Sequence, residues 1–226
     1  MKAEPVVAID GPSGSGKGTV SRAIARSLGW ALLDSGALYR LVALAARQAG
    51  VSLDDKERLA SIARSFDIRF GTTEDGEEAI WLGGKDVTRL IRTETAGSDA
   101  SHVAQIREVR AALLQRQRRF AARPGLVADG RDMGSVVFPA APVKIYLTAS
   151  AEERAVRRYK QLKEKGVTAN LAALSLEIAE RDRRDMNRAV APLVAAPDAV
   201  SIDTTGMPIE AVVERILAIV RERLSV

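Results

Sequence analysis

Three stretches of this chain combine residue types that suit chemistry on a phosphate. The first is Ile9-Asp10-Gly11-Pro12-Ser13-Gly14-Ser15-Gly16-Lys17-Gly18-Thr19. An apolar strand ends there, a glycine-rich turn follows, and a helix starts at about Lys17. Glycines let successive backbone N–H groups point inward and form an anion nest at a helix N-terminus. Lys17 adds a full charge where β- and γ-phosphates would lie. The residue after the lysine, commonly a Ser or Thr that ligates Mg²⁺, is Gly18, with Thr19 one step later. No direct protein ligand to a metal is therefore assigned.

The second stretch, Asp34-Ser35-Gly36-Ala37-Leu38-Tyr39-Arg40, follows another apolar run. Ser35 and Arg40 either face a second anion or serve as a helix cap and a solvated arginine. The third, Asp129-Gly130-Arg131-Asp132-Met133-Gly134, puts three charges at the carboxyl end of a strand. Such charges are costly there unless they bind something. Asp129 stands where phosphate-loop enzymes keep a metal-associated carboxylate, Arg131 can hold a phosphate, and Asp132 can accept hydrogen bonds. Further on, Arg154, Arg157 and Arg158 crowd one helical segment, and Arg181, Asp185 and Arg188 have i, i+4, i+7 spacing, which predicts one shared helix face. Either face is a salt-bridged solvent surface or a source of cations for phosphoryl transfer.

The elements that would position these residues are legible as well. Val6–Ile9, Ala31–Leu33, Leu126–Ala128, Val143–Leu147 and Val200–Ile202 are continuous apolar runs, the pattern of buried parallel strands. Helix-period segments separate most of them, over Thr19–Ser27, Arg107–Ala122, Ala151–Lys165 and Pro208–Leu224. Strand and helix in alternation predict βαβ units in a doubly wound α/β sheet. From Phe66 to Val87 the rhythm changes to alternation with turn signals at Asp75-Gly76 and Gly83-Gly84. This predicts a small inserted antiparallel sheet, either decorative or a substrate-specific flap.

The chain has 226 residues and a formal charge of +5, with 46% hydrophobic and 28% charged residues. That length and composition suit one folded α/β domain with an insertion. No cysteine is present, so thiolate chemistry, disulfides and Cys-based zinc sites are excluded. The lone histidine, His102, cannot make a two-histidine metal motif and reads as a surface or capping residue. Arginine outnumbers lysine by 26 to 8 within the 34 basic residues, which favours bidentate contacts to phosphate or carboxylate. Aromatic residues make up only 4%, so stacking platforms for single strands are scarce and no nucleic-acid partner is expected. Met1-Lys2-Ala3-Glu4-Pro5 is too short to be a signal peptide, and no apolar run reaches the ~18 residues of a spanning helix. A cytoplasmic monomer with no membrane partner is the expectation.

The phosphate loop, the 34–40 stretch, the 129–134 stretch, Ala141-Pro142-Val143-Lys144-Ile145 and Arg181–Pro192 occur in an order that resembles the bacterial cytidylate kinase family. The resemblance covers nearly the whole chain. It implies a phosphate-loop nucleoside-monophosphate-kinase-like fold: a five-stranded parallel sheet with flanking helices, a lid at 151–168, and an inserted monophosphate-binding subdomain at 62–100. It implies transfer of the γ-phosphoryl of ATP to CMP, and to dCMP, with Mg²⁺ accompanying ATP. Gly11, Pro12, Ser13, Gly14, Ser15, Gly16, Lys17, Gly18 and Thr19, with Arg154 and Arg158 from the lid, would bind ATP. Asp203-Thr204-Thr205 would lie near the adenine.

On the acceptor side the resemblance implies Ser35, Arg40, Arg131 and Arg188 around CMP, with arginines on its phosphate. Ser101, Arg110 and Asp132 would read the base, and Arg181 and Asp185 the sugar. Lys17, Asp129, Arg131, Arg158 and Arg188 would form the catalytic set. The base assignment also makes chemical sense, because a carboxylate such as Asp132 accepts from the cytosine N4 amino group but repels uracil O4. A kinase of UMP, AMP or a small metabolite, and an ATP-switched nucleic-acid binder, are the competing readings.

Overall fold

The computed structural model describes residues 4–73, 78–164 and 166–224. The first three residues, the Asp75-Gly76 turn and Lys165 lie outside the described residues. In chain order come β1 (Val6–Asp10), α1 (Lys17–Leu28), β2 (Ala31–Asp34), α2 (Ser35–Gln48) and α3 (Lys56–Ser65). Next are β3 (Ile68–Thr72), β4 (Glu78–Leu82), β5 (Lys85–Asp86), α4 (Glu94–Val103), α5 (Arg107–Arg118) and β6 (Leu126–Gly130). A π-helical turn, Met133–Val137, precedes β7 (Val143–Thr148), α6 (Ala151–Glu164), α7 (Leu171–Met186), β8 (Val200–Asp203) and α8 (Ile209–Leu224).

The chain divides into two compact units. The larger, Met1–Asp34 with Gln117–Val226, is built on a five-stranded sheet in the order β2-β6-β1-β7-β8, parallel throughout. Every residue of β1 is buried, so both of its faces are covered, which is why the sequence shows a continuous apolar run there. Val7, Ile9, Val127, Val143, Ile145, Leu147 and Ile202 from the sheet pack with Ile24 of α1 and Val212, Ile216 and Val220 of α8. This core holds the strand register that matters for the site. Asp34 and Ile9 both pair with Asp129, and Asp10 pairs with Gly130 and Tyr146. Asp10, Asp34 and Asp129 thus lie at the carboxyl ends of three adjacent strands, where ligands of open parallel sheets bind.

The smaller unit, Ser35–Arg116, packs α2 against α3 and α4, and carries the antiparallel sheet β3-β4-β5. Leu82 pairs with Lys85 across Gly83-Gly84, whose φ values of 55° and 76° suit a two-residue hairpin turn. The guanidinium of Arg69 lies 3.9 Å over the Trp81 ring across β3 and β4. The antiparallel sheet expected from the alternation is present. No helix among the described residues is long and apolar enough to cross a membrane.

Candidate active site

The glycine-rich loop leaves β1 at Gly11, and the sheet dictates that residue. Its φ is 147°, and a Cβ there would sit 2.0 Å from the Leu147 carbonyl oxygen on the neighbouring strand. Gly16, at φ 87°, caps α1 without a side chain, so the amides of the first turn face the loop interior. Lys17 opens the helix; its side chain is buried and Nζ donates to the Pro12 carbonyl at 2.8 Å. Ser15 Oγ donates to the same oxygen at 3.1 Å. From outside, Arg154 of α6 donates to Ser13 O at 3.0 Å, to Ala149 O at 3.1 Å and to Asp182 Oδ2 at 2.5 Å. Thr204 Oγ1 lies 2.9 Å from Thr148 O and 3.3 Å from Ser15 O, and Arg157 holds Thr204 through its hydroxyl and carbonyl. The loop is therefore shaped before any anion arrives.

Beside it lies a dense set of buried and partly buried charges. Burial, then the nearby Arg131, pushes Lys17 down to about 7, while burial raises Asp129 to about 6 against the pull of Lys17. Arg131 Nε donates to Asp185 Oδ2 at 3.0 Å, and Arg131 NH1 to its neighbour Gly130 O at 3.0 Å. Burial opposes the Arg131 charge, yet Asp185 and Asp129 together raise its pKa. Burial likewise disfavours the Asp185 anion, but Arg131, Arg188 and Arg181 hold it below the ordinary carboxylate range. Arg188 NH2 is 3.8 Å from Asp185 Oδ1, and Arg188 Nε donates to the Asp185 carbonyl at 3.2 Å.

The shared helix face expected for Arg181, Asp185 and Arg188 is not what brings Arg188 there. Helix α7 stops at Met186 and Asn187 caps it. Leu193 N then donates back to Asp185 O at 2.8 Å, with Ala191 at φ 51° in the returning loop. Arg188 reaches Asp185 from that loop. Arg158 sits further along α6, with NH1 donating to Gln161 Oε1 at 3.2 Å and burial lowering its pKa.

Among the described residues no three His, Cys, Asp or Glu side chains cluster as an all-protein metal cage. The donor set does fit magnesium held mainly by phosphates and water with one or two carboxylates. A Cβ on Gly18 would lie 3.5 Å from Asp129 Oδ2, so the missing side chain leaves space against that carboxylate. Asp34 is registered opposite Asp129 on β2.

Asp132, buried directly after Arg131, lies in the larger unit, while Ser35, Arg40, Ser101 and Arg110 belong to the smaller one. Ser35 is buried and is itself the first residue of α2, not a cap preceding it. Arg40 NH1 donates to Ile91 O at 2.7 Å. Ser101 is buried on α4, and Arg110, buried on α5, donates to Ala104 O at 3.2 Å with its guanidinium 5.8 Å from the Tyr39 ring centre. His102 Nε2 and Asp54 Oδ1 are 3.0 Å apart at the surface. Sequence reasoning missed Asp10, whose signal was its place at the end of a fully apolar strand. It also missed Asp182 and the Arg157–Thr204 brace, which no local pattern announces.

The sequence profile of the cytidylate kinase family matches residues 7–222. The chain is 59% identical over 224 residues to the cytidylate kinase of Stutzerimonas stutzeri, covering 99% of this chain and 98% of the relative. It is 54% identical to that of Colwellia psychrerythraea, covering 100% of both. Among solved structures, an uncharacterized protein from Eubacterium ventriosum superposes with a TM-score of 0.52 at 12% identity, covering 97% of this chain and all 100% of the other. That likeness speaks for the fold alone.

Proposed function

The chain belongs to the cytidylate kinase family, and from that premise we propose that it transfers the γ-phosphoryl group of ATP to CMP, and to dCMP, giving ADP and CDP or dCDP. The observation that carries the reading in the structure is the meeting of the glycine-rich loop with buried Lys17 and partly buried Asp129 and Arg131 at the carboxyl ends of β1 and β6. An oxygen of the CMP phosphate attacks the γ-phosphorus, and the bond from that phosphorus to the β–γ bridging oxygen breaks. The attacking oxygen is already anionic near neutral pH, so no general base is required. Positioning and charge neutralisation do the work.

Lys17 and the loop amides hold the β- and γ-phosphates. Arg131 and Arg188, with Ser35 and Arg40, hold the CMP phosphate, and Arg154 and Arg158 belong to the ATP side. Lys17, Asp129, Arg131, Arg158 and Arg188 form the catalytic set. Magnesium bound with ATP supplies neutralisation of the β- and γ-phosphate charge, and Asp129 is the residue that would hold it. Asp132, Arg110 and Ser101 read the base, and Arg181 with Asp185 the sugar. Segment 62–100 is read as the monophosphate-binding subdomain and 151–168 as the lid of a cytoplasmic monomer. A preference for UMP or AMP, or an ATP-switched nucleic-acid binder, is not favoured.

A coupled ADP-release assay with CMP, dCMP, UMP and AMP side by side tests this. CMP-dependent turnover exceeding that with UMP and AMP is expected. ATP hydrolysis independent of CMP would overturn the reading.

A further inference from the structure

Asp10 is the last residue of β1 and the residue immediately before Gly11 of the loop. It is only 4% exposed, yet none of the roles assigned above uses it. Its two carboxylate oxygens each accept one backbone amide from a segment distant in sequence, 123 and 124 positions further on. Met133 N donates to Oδ1 at 2.8 Å, and Gly134 N donates to Oδ2 at 2.8 Å. These are the first amides of the π-helical turn Met133–Val137, whose own cap, Asp132, supplies no side-chain bond to it. Asp10 therefore caps a turn that lies 123 residues away, from the floor of the phosphate loop. Immediately upstream of that turn stand Arg131 and Asp132, and Asp132 is 3% exposed.

We infer that Asp10 is a positioning residue for the acceptor nucleotide: it fixes the backbone that carries Arg131 and Asp132 to the strand that carries the phosphate loop. The inference rests on the kinase reading and deepens it. Two amides held by the two oxygens of one carboxylate set both the position and the tilt of the turn. A single bond would leave it free to swing about one contact. Each amide bonds to a charged acceptor in a buried place, where such bonds are strongest and an orphaned donor is most costly. The side chains of Arg131 and Asp132 inherit whatever error the turn acquires, and small misplacements at a reacting centre have large kinetic effects.

The substitution Asp10→Asn keeps the shape but replaces one acceptor oxygen with an amino group that faces an N–H donor. Asp10→Ser keeps at most one acceptor. For the folded Asp10→Asn enzyme, the KM for CMP should rise about tenfold, the loss of one such bond, and the CMP-over-UMP ratio of kcat/KM should fall. The KM for ATP should stay within about twofold, since the loop's own brace through Arg154 and Thr204 is intact. A purely structural role would lower thermal stability while leaving KM for CMP and the CMP/UMP ratio unchanged, and that result overturns the inference. So does an equal rise in the KM for ATP.

If Asp10→Asn does not fold, Asp10→Ser is read the same way. The unmodified enzyme provides a further arm: without CMP the amides of Met133 and Gly134 should already be protected from hydrogen exchange, whereas exchange at both as fast as in a free peptide overturns the inference. Wild-type turnover of CMP in the same assay separates the two levels. If the wild type ignores CMP the family-based reading fails; if it turns over CMP and Asp10→Asn matches it, only the role of Asp10 fails.

Discussion

Replacing Asp185 with asparagine tests whether buried carboxylates hold the arginine cluster together before substrate arrives. Asp185 is 4% exposed and receives Arg131 at 3.0 Å, with Arg188 at 3.8 Å. Arg131, Arg188 and Arg181 all favour its anion strongly enough to outweigh burial. Asp185→Asn retains an oxygen that can accept from Arg131 but removes the charge, leaving these cations facing one another. Removing one partner of a buried pair costs about 3–5 kcal/mol, and retention of an acceptor puts this case near the lower end, at about 3 kcal/mol. For a chain of this length each kcal/mol lowers Tm by about 2–4 °C, so a drop of about 6–12 °C is expected by calorimetry or circular dichroism. Inorganic phosphate should narrow the gap more than sodium chloride of equal ionic strength, because an anion can re-enter between the arginines. The pH dependence has a defined sign. The folded pKa of Asp185 lies below the ordinary value of 3.8, so its stabilisation is complete above 3.8 and is lost as pH falls through the folded value. The gap between wild type and variant should hold through neutral and mildly acidic pH and close only at strongly acidic pH. A variant that melts within about 2 °C of wild type near neutral pH would refute the account.

Further expectations concern Lys17, Asp132, Gly11 and Gly29. Lys17 is held at about 7 by burial and Arg131, and a bound polyphosphate should raise it again, so the lysine should take up close to one proton when ATP binds near pH 8. Calorimetric titration in two buffers of different ionisation heat checks this; a binding heat independent of buffer near pH 8 would count against it. Asp132→Ala should reduce the CMP-over-UMP ratio of kcat/KM by about tenfold to a hundredfold, the cost of about 1–3 kcal/mol for an unpaired polar group, and an unchanged ratio removes Asp132 from base reading. Gly11→Ala drives a Cβ to 2.0 Å from Leu147 O and should abolish ATP turnover, with a loss of at least ~1–3 kcal/mol in urea melts. Gly29→Ala, also at positive φ but with nothing within 4 Å, should cost about 1 kcal/mol and leave turnover intact.

The strands were legible because a parallel sheet covered on both faces leaves unbroken apolar runs, and the loop was legible because its glycines and lysine are adjacent in sequence. The two-residue Gly83-Gly84 hairpin was legible for the same local reason. Sheet order was not, since β6 inserts between β1 and β2 through pairings of residues about a hundred apart, such as Ile9 with Asp129. The i, i+7 spacing of Arg181 and Arg188 misled, because periodicity assumes a helix that continues and α7 ends at Met186. Arg154 was expected from its place in an arginine-dense segment, but its hold on the loop at Ser13, 141 positions away, could not be. The contacts of Asp10 and Thr204 were invisible for a related reason: their main partners are backbone atoms of distant segments, and a backbone amide or carbonyl has no sequence signature.

The chain's 34 basic residues are offset by 29 acidic ones, and at the candidate site that offset is local. A site that binds phosphates by their charge must hold cations close together when empty, and buried cations at close range would neutralise or repel one another. Lys17 shows the cost directly, since burial and Arg131 lower its affinity for a proton. Arg131 is spared because Asp185 and Asp129 offset its burial, and Arg154 forms an ion pair with Asp182. These carboxylates hold the guanidiniums of the candidate site in fixed ion pairs, Arg131 on Asp185 and Arg154 on Asp182. Asp10 extends the logic from charge to backbone, because its anion is balanced chiefly by two amide dipoles, Met133 and Gly134, even as burial lifts its pKa to about 6. The same set of aspartates thus fixes both the electrostatics and the geometry onto which ATP and CMP would dock, and the order of the strands is what brings them together.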